Sequence, residues 1–214
     1  MGAKTWMLVY ADVDARAALS RGPALDRTAT VRLAATLFPD QKLAPRDDGD
    51  LSSTCPDDNE ICIGCFPGVS IVAAREFGGD HPSKLPAPFI AAGGRGTVTL
   101  HAMHSVVDWF AYAQWTNGTL VRSLSLSPDS GVLEDIGPRL PFEEPYWAGR
   151  HPALAEDEDP AAYPLPFHPL ELGDAALAAL FGYCLEGPTD LELFEPETIA
   201  LARYERRRSR WKFW

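Results

Sequence analysis

An Asn-Gly pair at Asn117-Gly118 constrains this chain more than any other feature. It stands between two runs rich in aromatic and aliphatic residues, AYAQWT before it and TLVRSL after it. Both residues tolerate the positive φ of a two-residue type I′ turn, so the pair predicts a β-hairpin. The pattern extends outward into an antiparallel meander of three strands, Thr97–Ala102, Val106–Trp115 and Thr119–Ser127. In the first, Thr99 and His101 alternate with Val98, Leu100 and Ala102. In the third, Leu120, Arg122, Leu124 and Leu126 read as one face and Val121, Ser123 and Ser125 as the other.

Around this block the chain offers further strand and helix signals. Thr5–Ala11 is a β-prone run ending at Asp12. Asp14–Leu19 reads as a short helix broken by Gly22-Pro23. Asp26–Phe38 reads as a second, with Val31, Ala34, Ala35 and Phe38 at helical spacing and Pro39 as the stop. Asp40–Asp58 is polar and loop-like. Ile61–Ala74 is strand interrupted at Pro67-Gly68, as two strands or as one with a bulge. Ser83 caps a short helix through Ala92 that Pro86 and Pro88 keep irregular. After a Pro-rich connection from Gly137 to Pro169, Asp174–Glu186 is a helix with Leu177, Leu180, Phe181, Cys184 and Leu185 on one stripe and Gly187-Pro188 as its end. Helices before and after a central, mostly antiparallel sheet predict an α+β fold, with residues 1–202 as a single domain.

The net charge is −11, unevenly spread. Residues 203–214 read as a basic-aromatic tail, with six basic side chains against Glu205, leaving −16 on the body. An acidic body repels phosphate backbones and argues against nucleic acid as the main partner. The tail's RRRSRWKFW suits an anionic membrane surface, RNA, the chain's own acidic body or a neighbouring subunit, or it is a disordered terminus. No apolar run reaches the roughly 20 residues of a membrane span, and the opening lacks a signal-peptide cleavage site, so the expected location is cytoplasmic.

With its blocks placed, the chain resembles a family of actinobacterial proteins defined by a domain of unknown function. The likeness is carried by MGAKTWMLVYAD at the start, CFPGV at Cys65–Val69 and LHAMHSVVDW at Leu100–Trp109. It continues in LVRSLSLSPDSG at Leu120–Gly131, PFEEPYWAG at Pro141–Gly149 and YPLPFHPLELG at Tyr163–Gly173. The resemblance implies no activity, substrate or catalytic residue.

Four constellations are chemically suggestive. His101, His104 and Asp108 supply two imidazoles and a carboxylate, a ligand set for zinc or iron or a base with its orienting group. On an extended strand residues three apart point to opposite faces, which works against their convergence unless Ala102–Ser105 turns. Cys55, Cys62 and Cys65, with Cys184 far along the chain, offer four thiols for structural zinc. Reduced, partly buried cysteines are the competing reading. Asp12 and Asp14 form a D-x-D after the first strand, where a metal or phosphate role competes with a turn and helix cap. Trp109, Glu143, Tyr146 and Trp147 belong to an aromatic-acidic group that lines a groove or packs over the sheet, echoed by Tyr163, Phe167 and His168. Nucleophile-elbow and phosphate-loop motifs are absent. The sequence predicts no cofactor, with zinc the metal its partial ligand sets would take. It favours a non-catalytic domain that binds a protein or small molecule. The alternatives are a metal-dependent hydrolase using His101, His104 and Asp108, and a structural subunit of a larger assembly.

Overall fold

The computed structural model describes residues 2–154, 163–186 and 193–208. The first half runs β1 (Lys4–Ala11), α1 (Ala15–Leu19), α2 (Arg27–Leu37), β2 (Gln41–Pro45), β3 (Gly49–Asp50), β4 (Glu60–Phe66) and β5 (Val69–Ala73). Then come α3 (Ala87–Ala91), β6 (Thr97–His104), β7 (Trp109–Thr116), β8 (Thr119–Ser127) and β9 (Gly131–Ile136). The chain closes with α4 (Glu144–Trp147), α5 (Pro169–Phe181) and β10 (Ala200–Arg208). The ten strands form one sheet in the order β2-β10-β4-β5-β1-β6-β7-β8-β9, with β3 also on β10. Every pairing is antiparallel. The fold is sheet-rich with a few helices, so the α+β expectation holds for the antiparallel sheet and only in part for its flanking helices.

The hairpin forms where Asn117-Gly118 predicts it, with φ of 51° and 75° and Thr116 opposite Thr119. The sheet is covered on both faces, which explains why β4 and β7 read as nearly unbroken apolar runs. One face carries Met7, Val9, Ile71, Met103, Phe110 and Leu124 beneath α1 and α5. The other carries Leu8, Ile61, Val72, Leu100 and Trp115 beneath α2, Phe77 and Phe89.

Three expectations change. The register shifts after Gln114, which pairs with Arg122, while Trp115 pairs with Leu120. The bulge at Val121 turns Leu120 to the face opposite Arg122, Leu124 and Leu126. The loop expected over Asp40–Asp58 contains the short strands β2 and β3. The basic segment assigned to a tail begins inside the sheet: Arg203–Arg208 belong to β10, between β2 and β4. Its charges meet the chain's own acids, Arg206 bonding Glu76 at 2.5 Å and the Asp58 carbonyl at 2.8 Å. Ser209–Trp214, the remainder of RRRSRWKFW, lie outside the described residues.

The last helix also shifts. It starts at Pro169 rather than Asp174, because proline fits the first helical position and the His168 ring caps the turn. It ends at Gly182, whose φ of 86° supplies the left-handed stop expected of Gly187. Midway, Gly173 lies directly on β6 and β7. A Cβ there would sit 3.0 Å from the Met103 sulfur and 3.1 Å from Phe110. Bare backbone at this position is what lets α5 touch the sheet.

Candidate functional site

The meander does not gather His101, His104 and Asp108. His101 lies beneath α5, fully buried. Its Nε2 donates to the Gly173 carbonyl at 2.9 Å, and its Nδ1 stands 2.7 Å from the Thr5 hydroxyl, which donates to it. Both nitrogens are thereby used, and burial holds the ring down at about 4, so it is neutral. His104, three residues on, faces the other side. It lines a hollow of about 340 Å³ with Trp6, Trp109 and Asp129, and its Nδ1 accepts the Val106 amide at 3.3 Å. Asp108 takes φ of 46° in the β6–β7 turn and points its carboxylate at His168, 3.7 Å away. Among the described residues, no group of three or more His, Cys, Asp or Glu is placed to hold a metal ion.

The other metal candidates diverge for equally local reasons. Cys62 and Cys65 sit three apart on β4 and point to opposite faces; both are buried, and burial pushes the Cys62 thiol up to about 12. Cys55 and Cys184 are unpaired. Asp14 caps α1, accepting the Ala17 amide at 2.8 Å, and Asp12 is exposed in the turn after β1.

The aromatic-acidic group fares differently. Trp109 stands apart on the second face, its indole N–H donating to Ser125 at 3.2 Å. Glu143, Tyr146 and Trp147 gather over the first face. Glu143 is fully buried against Arg122. Trp147 packs edge-on against Phe167 at 4.9 Å, with Arg139 over its ring at 4.2 Å. Tyr146 is pinned through its hydroxyl to the Glu171 carbonyl at 3.0 Å and stacks on His151 at 4.4 Å.

Between that Tyr146–His151 wall and α5 lies a cavity of about 630 Å³. The helix contributes Leu170, Glu171, Asp174, Ala175 and Ala178, one stripe at helical spacing, and the chain beyond it adds Cys184, Glu186 and Leu193. The small side chains of Ala175 and Ala178 leave the space. Asp174, where the sequence reading starts the helix, points to the chain after the helix. Its Oδ1 accepts the amides of Leu185 at 2.8 Å and Glu186 at 3.4 Å. Burial pushes its carboxyl up to about 6. Glu186 in turn accepts the Ala3 amide at 2.9 Å.

His168 stands at the same cavity with its base nitrogen already taken. Nδ1 accepts the Leu170 amide at 3.3 Å, which leaves the proton on Nε2, facing Asp108. This inverts the usual catalytic pairing, in which a carboxylate holds Nδ1–H and frees Nε2 to take a proton. The Cys184 thiol, also in the wall, is pushed up by burial, away from the thiolate a nucleophile needs.

Sequence reasoning reached Tyr146 but missed Glu171, Asp174 and His151. The available signal was the coincidence of two carboxylates with two alanines on a single stripe. It was hidden by starting the helix five residues late.

No curated protein and no solved structure matches the chain. Among the described residues, no helix is long and apolar enough to cross a membrane. The sequence model of a family of unknown function, DUF6928, matches residues 5–204, a span that takes in nearly the whole sheet and the entire cavity wall, and the chain belongs to that family.

Proposed function

We propose that this chain is a non-catalytic binding protein whose ligand is a small organic molecule held between α5 and the Tyr146–His151 wall. The observation that carries the reading is the cavity itself. At about 630 Å³ it falls within the roughly 300–1,000 Å³ of small-molecule sites, and it combines apolar walls with a few fixed polar groups. At the cavity, the engagement of His168 Nδ1 by the Leu170 amide and the burial that raises the Cys184 thiol support binding over turnover. Four unpaired thiols, at Cys55, Cys62, Cys65 and Cys184, favour a reducing compartment such as the cytoplasm.

A fragment screen by protein-observed NMR on the full chain tests this. Fragments are expected to compete for one site and to shift the amides of Tyr146, Asp174 and Ala178. Ala175→Phe places a ring in the space and is expected to abolish that binding, about tenfold or more, while the rest of the amide spectrum is retained. Fragment binding that ignores Ala175→Phe, or shifts that map elsewhere, overturns the assignment.

A further inference from the structure

We propose that the occupant of this cavity is an organic cation: a protonated amine on an apolar body, with the amine seated against Asp174. The inference rests on the binding role just argued and names the chemistry that role requires.

Three carboxylates border the space, Glu171, Asp174 and Glu186, and among the described residues no lysine or arginine lines it. Two of the three are accounted for within the chain. Glu171 is exposed and sits in the first turn of α5, where the positive end of the helix favours it. Glu186 accepts the Ala3 amide at 2.9 Å. Asp174 is different. It is half-buried on the second turn, beyond the helix end, and forms no ion pair among the described residues. Its two bonds, to Leu185 and Glu186, both fall on Oδ1. That arrangement holds the carboxylate in place and leaves Oδ2 without a partner among the described residues.

A half-buried carboxylate held without a counter-charge is penalised, and a group of opposite sign relieves the penalty. Among the described residues no lysine or arginine at the cavity supplies that group, so a cationic ligand is what would complete it. Its remaining atoms meet Tyr146, His151, Leu170, Ala175, Ala178 and Leu193, aromatic and aliphatic surface that suits a hydrocarbon or ring. An anionic ligand would meet three like charges and no donor side chain of positive sign. A bare metal ion needs several converging ligands, and among the described residues no group of three or more His, Cys, Asp or Glu is placed to supply them. A primary ammonium presents three donors and satisfies Oδ2 with a charge-assisted bond.

The test compares 2-phenylethylamine, 2-phenylethanol and 3-phenylpropanoate on the full chain near neutral pH, read by amide shifts and saturation transfer. The amine is expected to bind about tenfold or more tightly than the alcohol, the discrimination a charge-assisted hydrogen bond provides, and the acid weakest of the three. Asp174→Asn keeps the Oδ1 acceptor for Leu185 and Glu186. It should reduce the amine to the alcohol's affinity and leave the alcohol unchanged. Glu197→Gln, at an exposed position outside the cavity, should alter amine binding by less than about twofold. Equal binding of amine and alcohol, or preference for the acid, overturns the cationic ligand and leaves the cavity as a binding site. Shifts from none of the three at Tyr146 or Asp174 overturn both.

Discussion

Glu143→Ala is expected to destabilise the protein by about 3–5 kcal/mol, more than any other single change considered. Arg122 on β8 is completely buried, and among the described residues Glu143 is its only fully buried counter-charge. The pairing is two-pronged, Nε to Oε1 at 2.9 Å and Nη2 to Oε2 at 2.6 Å. The remaining guanidinium nitrogen meets Asp135 at 2.5 Å and the carbonyls of Ile136 and Gly137 at 3.0 and 3.2 Å. Gly137 is indispensable to this approach, because its φ is 80° and a Cβ would stand 2.1 Å from the Val121 carbonyl oxygen. Glu143 also accepts the Tyr112 hydroxyl and the Leu140 amide, the latter at 2.7 Å. Removing the carboxylate strands a buried cation and several donors together. Urea unfolding measures the loss directly. The double variant Arg122→Met/Glu143→Leu should recover most of it, since an apolar pair of similar volume carries no unpaired charge. A loss below about 1 kcal/mol in Glu143→Ala would mean that Arg122 reaches water and the network is not buried. The same network fastens the segment after β9 to the sheet, so it also positions Tyr146, and fragment binding should weaken in Glu143→Ala even under conditions where it folds.

What the sequence disclosed and what it concealed have physical causes. Asn117-Gly118, the Asp14 cap and the Pro67-Gly68 break were legible because turn and cap chemistry is local. His101 was legible as a residue and opaque as a role, since its partners, Thr5 and Gly173, lie 96 and 72 residues away. β10 was read as a tail because a strand between β2 and β4 is identified by its neighbours, and ALARYERRR alternates too weakly to announce itself. Glu143 looked like a candidate ligand-binding acid for the same reason: nothing in PFEEPYW reports that Arg122 waits beneath it. The cavity depended on where α5 begins, and Pro169 read as the end of a loop instead of as a first helical position.

Asp174→Asn is expected to stabilise the protein near neutral pH by about 2 kcal/mol while removing the amine preference. Burial raises the Asp174 carboxyl from the ordinary 3.8 to about 6, so its charged form is penalised in the folded state. The penalty is absent below 3.8, grows as pH rises through the interval and is complete above 6. His101 acts in the opposite sense. Burial lowers its ring from 6.5 to about 4, so folding is fully favoured above 6.5 and is undermined as acidification begins to protonate the unfolded chain. His104, lowered by burial and by Lys4, adds weakly in the same direction because it is mostly solvated. Glu134, raised by burial but lowered on balance by Ser123, Ser83 and His81, contributes only as pH falls below 4.5. Between about pH 4.5 and 6.5 the wild-type chain therefore carries two opposed slopes of similar size, and its urea midpoint should change little. In Asp174→Asn one slope is gone. The variant should exceed wild type at pH 7, and then lose stability steadily on acidification as the His101 term acts alone, until the two proteins converge near pH 4. A stability difference that is the same at every pH would show that Asp174 is not a strained acid in the folded state. A site residue whose neutral isostere strengthens the fold and abolishes amine selectivity is retained at a cost to stability, which is what a binding carboxylate awaiting its cation should look like.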